Sequence, residues 1–174
     1  MKRLVKSFLK SMGLYVRRNS FSKNELAKKQ IIFIHVPKVA GTGLLKSLGV
    51  YTPHTHLYTY ELEDKEKFNK YFKIGFVRNP WDRLVSAFFY LKQGGRKVRC
   101  DLMMKDKLNK FDTFENFVLE LNNNIEFRNE ILKETDFSSQ YSWLMNSIGE
   151  IEMDYIGRFE NLEDGFLILK ILKL

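Results

Sequence analysis

The stretch Gln30-Ile31-Ile32-Phe33-Ile34-His35-Val36 constrains the fold of this chain more than any other. It is short, β-branched and almost continuously apolar, the pattern of a strand buried on both faces of a parallel sheet. It stops at Pro37 and runs through Lys38-Val39-Ala40-Gly41-Thr42-Gly43 into a helical stretch, Leu44–Leu48, for which Gly49 is a suitable C′ residue. A second unit of the same kind follows. Phe72–Val77 reads as a strand, Arg78-Asn79-Pro80 as a turn, and Trp81–Lys92 as a helix broken by Gly94-Gly95. Asn79 suits the N-cap and Pro80 the first helical position. Strands alternating with helices define an α/β fold with a parallel sheet.

The rest of the chain fits around these two units. Asn19–Gln30 is polar and reads as a connector, and Glu61–Lys70 as a charged helix. Residues 96–110 are basic and read as irregular. Asp112-Thr113-Phe114-Glu115 has the capping-box pattern that opens a helix, which Asn122-Asn123-Asn124 ends. A further helix is expected around Glu126–Glu134, a short strand at Tyr155-Ile156-Gly157 and a last helix over Leu162–Leu174.

Charge placement narrows the function classes. The 174 residues carry a net charge of +8, which by itself invites a nucleic-acid reading. Residues 1–30, however, hold nine bases and one acid, while residues 31–174 hold 20 of each. The chain reads as a basic leader (1–30) on a neutral domain (31–174), and nucleic acid is not the expected partner. Leu4, Val5, Phe8, Leu9, Met12, Tyr15 and Val16 recur at helical spacing among the leader's bases. Residues 2–18 can thus form a basic amphipathic helix, packed on the domain or lying peripherally on an anionic membrane. The lone Cys100 excludes an internal disulfide and a cysteine-based zinc site. No apolar run approaches the ~20 residues of a membrane span, and the leader lacks the apolar stretch of a secretion signal. The expected location is the cytoplasm.

Two loops can carry chemistry. Pro37–Gly43 follows a buried strand and opens a helix, so its backbone N–H groups suit an anion. Gly41 and Gly43 let the backbone come close, Thr42 adds a hydroxyl and Lys38 a full charge. Lys38 precedes the glycines, so this is not the G-x-x-x-x-G-K-[ST] loop, and an ordinary strand-to-helix turn is the plain alternative. In the second loop, Arg78 sits at the carboxyl end of a strand, the edge where open parallel sheets bind ligands. Its guanidinium can hold a phosphate bidentately, and Ser86, two turns into the helix, can donate to the same group. Taken alone, that segment reads rather as an Arg78–Asp82 pair with Ser86 as a small packing residue; Arg83 is expected in a structural ion pair. Lys38 and Arg78 are 40 residues apart, enough for helix, connection and return strand, so both loops should open at one end of the sheet. One anionic group per loop describes a ligand with two phosphate-like ends.

Three segments resemble a known family in order. Phe33–Thr42 looks like the 5′-phosphosulfate loop of the membrane-associated and bacterial carbohydrate sulfotransferases, Phe76–Ala87 like their 3′-phosphate motif, and Ile156–Leu162 like a third segment near the C-terminus. The resemblance spans roughly residues 31–170. It implies a P-loop NTPase-like three-layer α/β fold with a central parallel sheet, the donor 3′-phosphoadenosine 5′-phosphosulfate (PAPS), no metal, and a saccharide or glycan hydroxyl as acceptor. Lys38 would neutralise the sulfonate and leaving phosphate oxygens. Ala40, Gly41, Thr42 and Gly43 would cradle the 5′ end, and Arg78 and Ser86 would take the 3′-phosphate. The acceptor needs a base, which the resemblance puts on the segment between the motifs: His56 first, His54 or Glu61 in reserve. His35 reads as a core histidine, and Arg158 either helps hold the nucleotide or pairs with Glu160 or Glu163. The family usually has Ser or Thr where this chain has Gly43, and continues with more helices past the Arg158-Phe159-Glu160-Asn161 segment. A C-terminally truncated, inactive PAPS-binding relative is therefore the alternative, with a P-loop kinase-like phosphotransferase behind it.

Overall fold

The structure, a computed structural model, describes residues 19–171. The amphipathic reading of residues 2–18 and the end of the helix expected up to Leu174 lie outside the described residues. Three strands form one sheet: β1 (Ile31–Ile34), β2 (Phe72–Val77) and β3 (Tyr155–Arg158), in the order β1-β2-β3. Both pairs are parallel, with Ile34 opposite Gly75 and Gly75 opposite Ile156. This is the α/β fold with a parallel sheet that the sequence predicts. All four residues of β1 are buried, as its unbroken apolar run requires. Because the strands are parallel, the chain leaves all three at the same edge.

By their contacts the residues divide into two compact units. The first holds the sheet with helices α1 (Ser20–Lys23), α2 (Gly41–Ser47), α3 (Leu57–Glu63), α4 (Lys65–Lys70), α9 (Gln140–Leu144) and α10 (Leu162–Ile171). Its core is built on Ile32, Phe33, Ile34, Leu57, Tyr60, Phe68, Ile74 and Phe76, each at most 1% exposed. Gly49 takes φ +66 just after α2, and the bonds Gly49 N–H to Lys46 O and Val50 N–H to Leu45 O make the C-terminal motif expected there. The charged helix expected at Glu61–Lys70 starts earlier, at Leu57, and is cut in two by Asp64, which accepts from the Lys67 N–H as the N-cap of α4.

Asn19–Gln30 is no connector. Phe21 packs edge-on against Tyr60 at 5.2 Å and Tyr71 at 5.5 Å, and Leu26 is buried. Asn24 is buried as well: its side chain accepts from the Leu26 N–H at 3.2 Å and donates to the Tyr60 hydroxyl at 3.2 Å. A polar side chain with its hydrogen bonds made can sit in a core, so polarity alone misreads this stretch.

The second unit comprises Pro37–Val39 and Arg78–Ser139. It holds α5 (Pro80–Lys92), α6 (Arg99–Leu108), α7 (Phe114–Asn123) and α8 (Ile125–Ile131) around an aromatic core of its own, with Phe88, Phe111, Phe117, Phe127 and Phe137 buried together. The Asn79 side chain accepts from the Trp81 and Asp82 N–H groups and Pro80 opens α5, as expected. Two expectations fail in this unit. Residues 96–110 are not irregular: Asp101, Met104 and Leu108 bury one side of α6 at i, i+3, i+7 spacing, while Leu102, Met103 and Asp106 are exposed on the other. Helix α7 does start and end where the sequence predicts, but its cap is Thr113, which accepts from the Asn116 N–H at 3.2 Å, so Asp112 and Glu115 do not form the capping box.

Candidate active site

In the second unit the Lys38 ammonium is held against one face of α5. Its Nζ lies 3.4 Å from the centroid of the Tyr90 ring. The Arg83 Nε donates to the carbonyl of Pro37 at 2.9 Å, and its Nη1 to that of Ser138 at 2.9 Å. Arg83 therefore bonds two backbone carbonyls rather than making the expected ion pair. Its Nη2 is buried with no hydrogen-bond partner among the described residues, and burial, only partly opposed by Asp136, brings the guanidinium down to about 10. Arg83, Ser86 and Tyr90 are spaced i, i+3, i+7, which puts Ser86 on the face that carries Pro37 and Lys38. Burial lowers the Lys38 ammonium below the ordinary lysine range. Asp136 and Asp101 oppose that shift, while the positive charges of Arg78 and Arg83 add to it. A half-buried lysine beside two guanidinium groups is a cation that gains from an incoming anion.

The sequence did not signal the backbone of this loop. Lys38 takes φ +66 and Ala40 φ +59, left-handed conformations that a residue with a Cβ holds at a cost of about 1 kcal/mol each. Strain of that kind persists where surrounding contacts over-determine it. For Lys38 those contacts are the Arg83 and Tyr90 side chains.

In the first unit Ala40 caps α2 without a side-chain bond, and helix geometry leaves the N–H groups of Gly41, Thr42 and Gly43 without an intrahelical acceptor. Thr42 and Gly43 are exposed. Gly41 is buried, for a steric reason: a Cβ there would lie 2.5 Å from Cδ2 and 2.8 Å from Nε2 of His35. The His35 ring cannot retreat, since its Nδ1 bonds the Thr52 carbonyl at 3.1 Å and it packs at a tilt against the His54 ring, centroids 4.0 Å apart. Gly41→Ala is accordingly expected to destabilise the chain by about 1–3 kcal/mol in thermal unfolding, and to be nearly neutral in a His35→Ala background. A Cβ at Gly43 meets nothing within 4 Å, so packing does not demand this glycine.

All three histidines use Nδ1 in the same way. His35 bonds the Thr52 carbonyl, His54 the His35 carbonyl at 2.6 Å, and His56 the Ser142 carbonyl at 2.9 Å. A carbonyl can only accept, so each Nδ1 carries the proton and in the neutral ring Nε2 is the basic nitrogen. His56 is clamped flat on Trp143, with ring centroids 4.0 Å apart and planes 8° from parallel. Burial lowers its pKa, with the Ser142 bond opposing, so the ring is neutral at pH 7. Glu61, the reserve base, is engaged elsewhere: it takes the Lys65 ammonium at 2.7 Å and the Ser147 N–H at 2.7 Å. Burial pushes its carboxyl up, but these bonds outweigh that and hold it below the ordinary range, which makes it a weak proton acceptor.

His35 buries its ring as the expected core histidine, and burial with the nearby His54 lowers it to about 4 against the Thr52 bond. Above its ordinary value of 6.5 both folded and unfolded chains carry it neutral and stability is complete. Below 6.5 only the unfolded chain takes the proton, so stability should fall as pH drops from 6.5 to about 4, by on the order of 3 kcal/mol from this group. Urea-unfolding midpoints at pH 7 and pH 5 check this; the His35→Gln variant should show a flatter pH dependence.

The three segments that stand out in the sequence, Phe33–Thr42, Phe76–Ala87 and Ile156–Leu162, each straddle the carboxyl end of one of the parallel strands. Set against protein families, residues 26–174 match the Sulfotransferase family. The chain belongs to the sulfotransferase family. No curated protein and no solved structure matches it. Family membership makes it a transferase of sulfuryl groups and accounts for charge-bearing loops at strand ends, since such a reaction is run by positioning and charge stabilisation. Among the described residues of this sulfotransferase there is no cluster of three or more His, Cys, Asp or Glu that can hold a metal ion, and no helix long and apolar enough to cross a membrane. Arg158, at the end of β3, is exposed.

Proposed function

We propose that this sulfotransferase moves the sulfuryl group of PAPS to a hydroxyl of a saccharide or glycan by in-line displacement. The observation that carries the reading is the Lys38 ammonium, seated on α5 beside Arg78 and Arg83 in a setting that destabilises its charge until an anion arrives. PAPS has two anionic ends. The chain offers Lys38 with the N–H groups of Gly41, Thr42 and Gly43 and the cap residue Ala40 for the 5′-phosphosulfate, and Arg78 with Ser86 for the 3′-phosphate. His56 serves as the base, its Nε2 taking the acceptor proton as the new O–S bond forms and the 5′-phosphate oxygen leaves. The cytoplasm is its proposed compartment, with the basic residues 2–18 lying peripherally on an anionic membrane.

Titration calorimetry with 3′-phosphoadenosine 5′-phosphate (PAP) and with ATP, followed by transfer of label from sulfur-labelled PAPS to a panel of neutral and acidic saccharides, tests the reading. PAP binding with label on a saccharide is the expected result. PAP binding without transfer to any acceptor would favour a PAPS-binding relative without activity, for which Gly43 in place of a hydroxyl residue is the specific sign. ATP binding without PAP binding would overturn the donor.

A further inference from the structure

Helix α5 meets the loop Pro37–Val39 at two points seven residues apart, and only one of them is a hydrogen bond. Arg83 fixes the Pro37 carbonyl. Tyr90 meets the next residue: its ring lies under the Lys38 Nζ at 3.4 Å, well inside the ~6 Å range of a cation–π contact. Burial raises the pKa of the Tyr90 hydroxyl, and the nearby Arg96 side chain opposes that rise. Arg96 is tethered by Asp101, which is buried, accepts its N–H at 2.7 Å and lies 3.6 Å from its Nε. Just after Tyr90 the chain turns at Gly94 and Gly95, with φ +96 and +52, and the Gly95 N–H donates to the Tyr90 carbonyl at 2.9 Å. An ammonium has donors in three directions, and a ring beneath it occupies one side only. Lys38 can stay on the ring and still offer N–H groups to an anion.

From this geometry we propose that Tyr90 is a positioning residue for sulfuryl transfer: its ring is the fixed seat from which the Lys38 ammonium meets the donor's 5′-phosphosulfate. The proposal rests on the PAPS reading and adds to it a residue outside all the matched donor positions. The seat takes over what rotamer freedom would otherwise cost, since an unheld lysine side chain must be ordered at each encounter. It also supports the left-handed backbone of Lys38, because a charge anchored on α5 at its tip and a carbonyl anchored one residue earlier leave the segment little freedom.

The test is a double-mutant cycle with PAP as the probe on the full chain, with far-UV circular dichroism as the check on folding. Tyr90→Phe keeps the ring and should bind PAP within about twofold of the parent. Tyr90→Leu keeps the packing against the apolar core but removes the ring face, and should bind about fivefold more weakly; Tyr90→Met replaces it if the leucine variant does not fold. In a Lys38→Ala background the same leucine change should cost no more than about twofold, because a residue acting through Lys38 has nothing left to act through. A second readout is spectroscopic. After reductive methylation with labelled formaldehyde, the Lys38 methyl resonance should be shifted upfield by the ring, in the parent and in Tyr90→Phe but not in Tyr90→Leu. Equal weakening in both backgrounds, or a Phe variant as weak as the Leu variant, would overturn the proposal while the PAPS reading stands. A parent chain that binds no PAP would overturn the PAPS reading itself, and the positioning role of Tyr90 with it.

Discussion

Lys38→Ala should lower turnover by about 10²–10³-fold while weakening PAP binding only about tenfold. The asymmetry follows from where the charge is needed. In the bound donor the phosphosulfate carries charge that several groups share, so one ammonium is a modest part of the binding. In the transition state, charge builds on the oxygen that leaves with phosphate, and a fixed cation there acts in partly dry surroundings where it counts for more. The substitution should leave folding intact, because the Lys38 side chain is held at its tip by a ring rather than buried in a core. Lys38→Arg separates charge from geometry: a planar fork on a longer stem keeps the charge but cannot sit on the Tyr90 ring with the same reach, so binding should survive better than turnover. Burial and the two neighbouring guanidinium groups lower Lys38, so PAP affinity should begin to decline at a pH below the ordinary lysine value of 10.5 as the ammonium is lost. Steady-state rates with sulfur-labelled PAPS, alongside calorimetry across pH, check each part. Turnover unchanged in Lys38→Ala would remove this residue from the chemistry.

Much of this fold can be read from local pattern, and the misreadings have physical causes. The runs at Ile31–Ile34 and Phe72–Val77 are legible because a strand buried on both faces needs apolar residues at every position. Asn79-Pro80 and Gly49 are legible because caps and stops use backbone geometries that few residues supply. Helix α6 escapes notice because its charged residues outnumber the three that bury one side, Asp101, Met104 and Leu108, and one of those is itself an acid. Asn19–Gln30 escapes for a related reason: Asn24 and Ser20 are polar yet buried, and the Asn24 side chain and the Ser20 backbone N–H find partners tens of residues away, Tyr60 and Glu63. The site divides in the same way. Lys38, Gly41, Thr42, Arg78 and Ser86 stand out by their type and position beside strand ends. The Tyr90 ring under the Lys38 ammonium is a relation between residues distant along the chain, which no local window contains. The left-handed backbone of Lys38 and Ala40 and the His35 ring that makes Gly41 obligatory lie within Phe33–Thr42 itself, but they depend on backbone shape that residue types do not announce.

His56→Ala should reduce turnover by about 10²–10⁴-fold, the range for loss of a positioned general base, with PAP affinity changed by less than about twofold. Three features prepare this ring for the task. The Ser142 carbonyl holds the proton on Nδ1, which makes Nε2 the base; the Trp143 ring fixes the imidazole plane; and burial keeps it neutral at pH 7. A base must be unprotonated to act, and a lowered pKa extends the neutral form to more acid pH. The acid limb of kcat/KM should therefore lie below the ordinary histidine value of 6.5, and it should vanish from the residual rate of the alanine variant. His54 is the built-in control. It lies two residues away and also donates Nδ1–H to a carbonyl, but its carbonyl is that of His35 and its ring is tilted against His35 and edge-on to Trp143 rather than flat on it. His54→Gln should keep most of the turnover and lose stability instead, since it removes the ring packed on a buried histidine. Rates of the two variants at saturating PAPS, each with its melting temperature, decide between them. Turnover lost in His54→Gln and kept in His56→Ala would move the base to His54, and an acid limb above 6.5 would show that the ring that titrates is not the buried imidazole on Trp143.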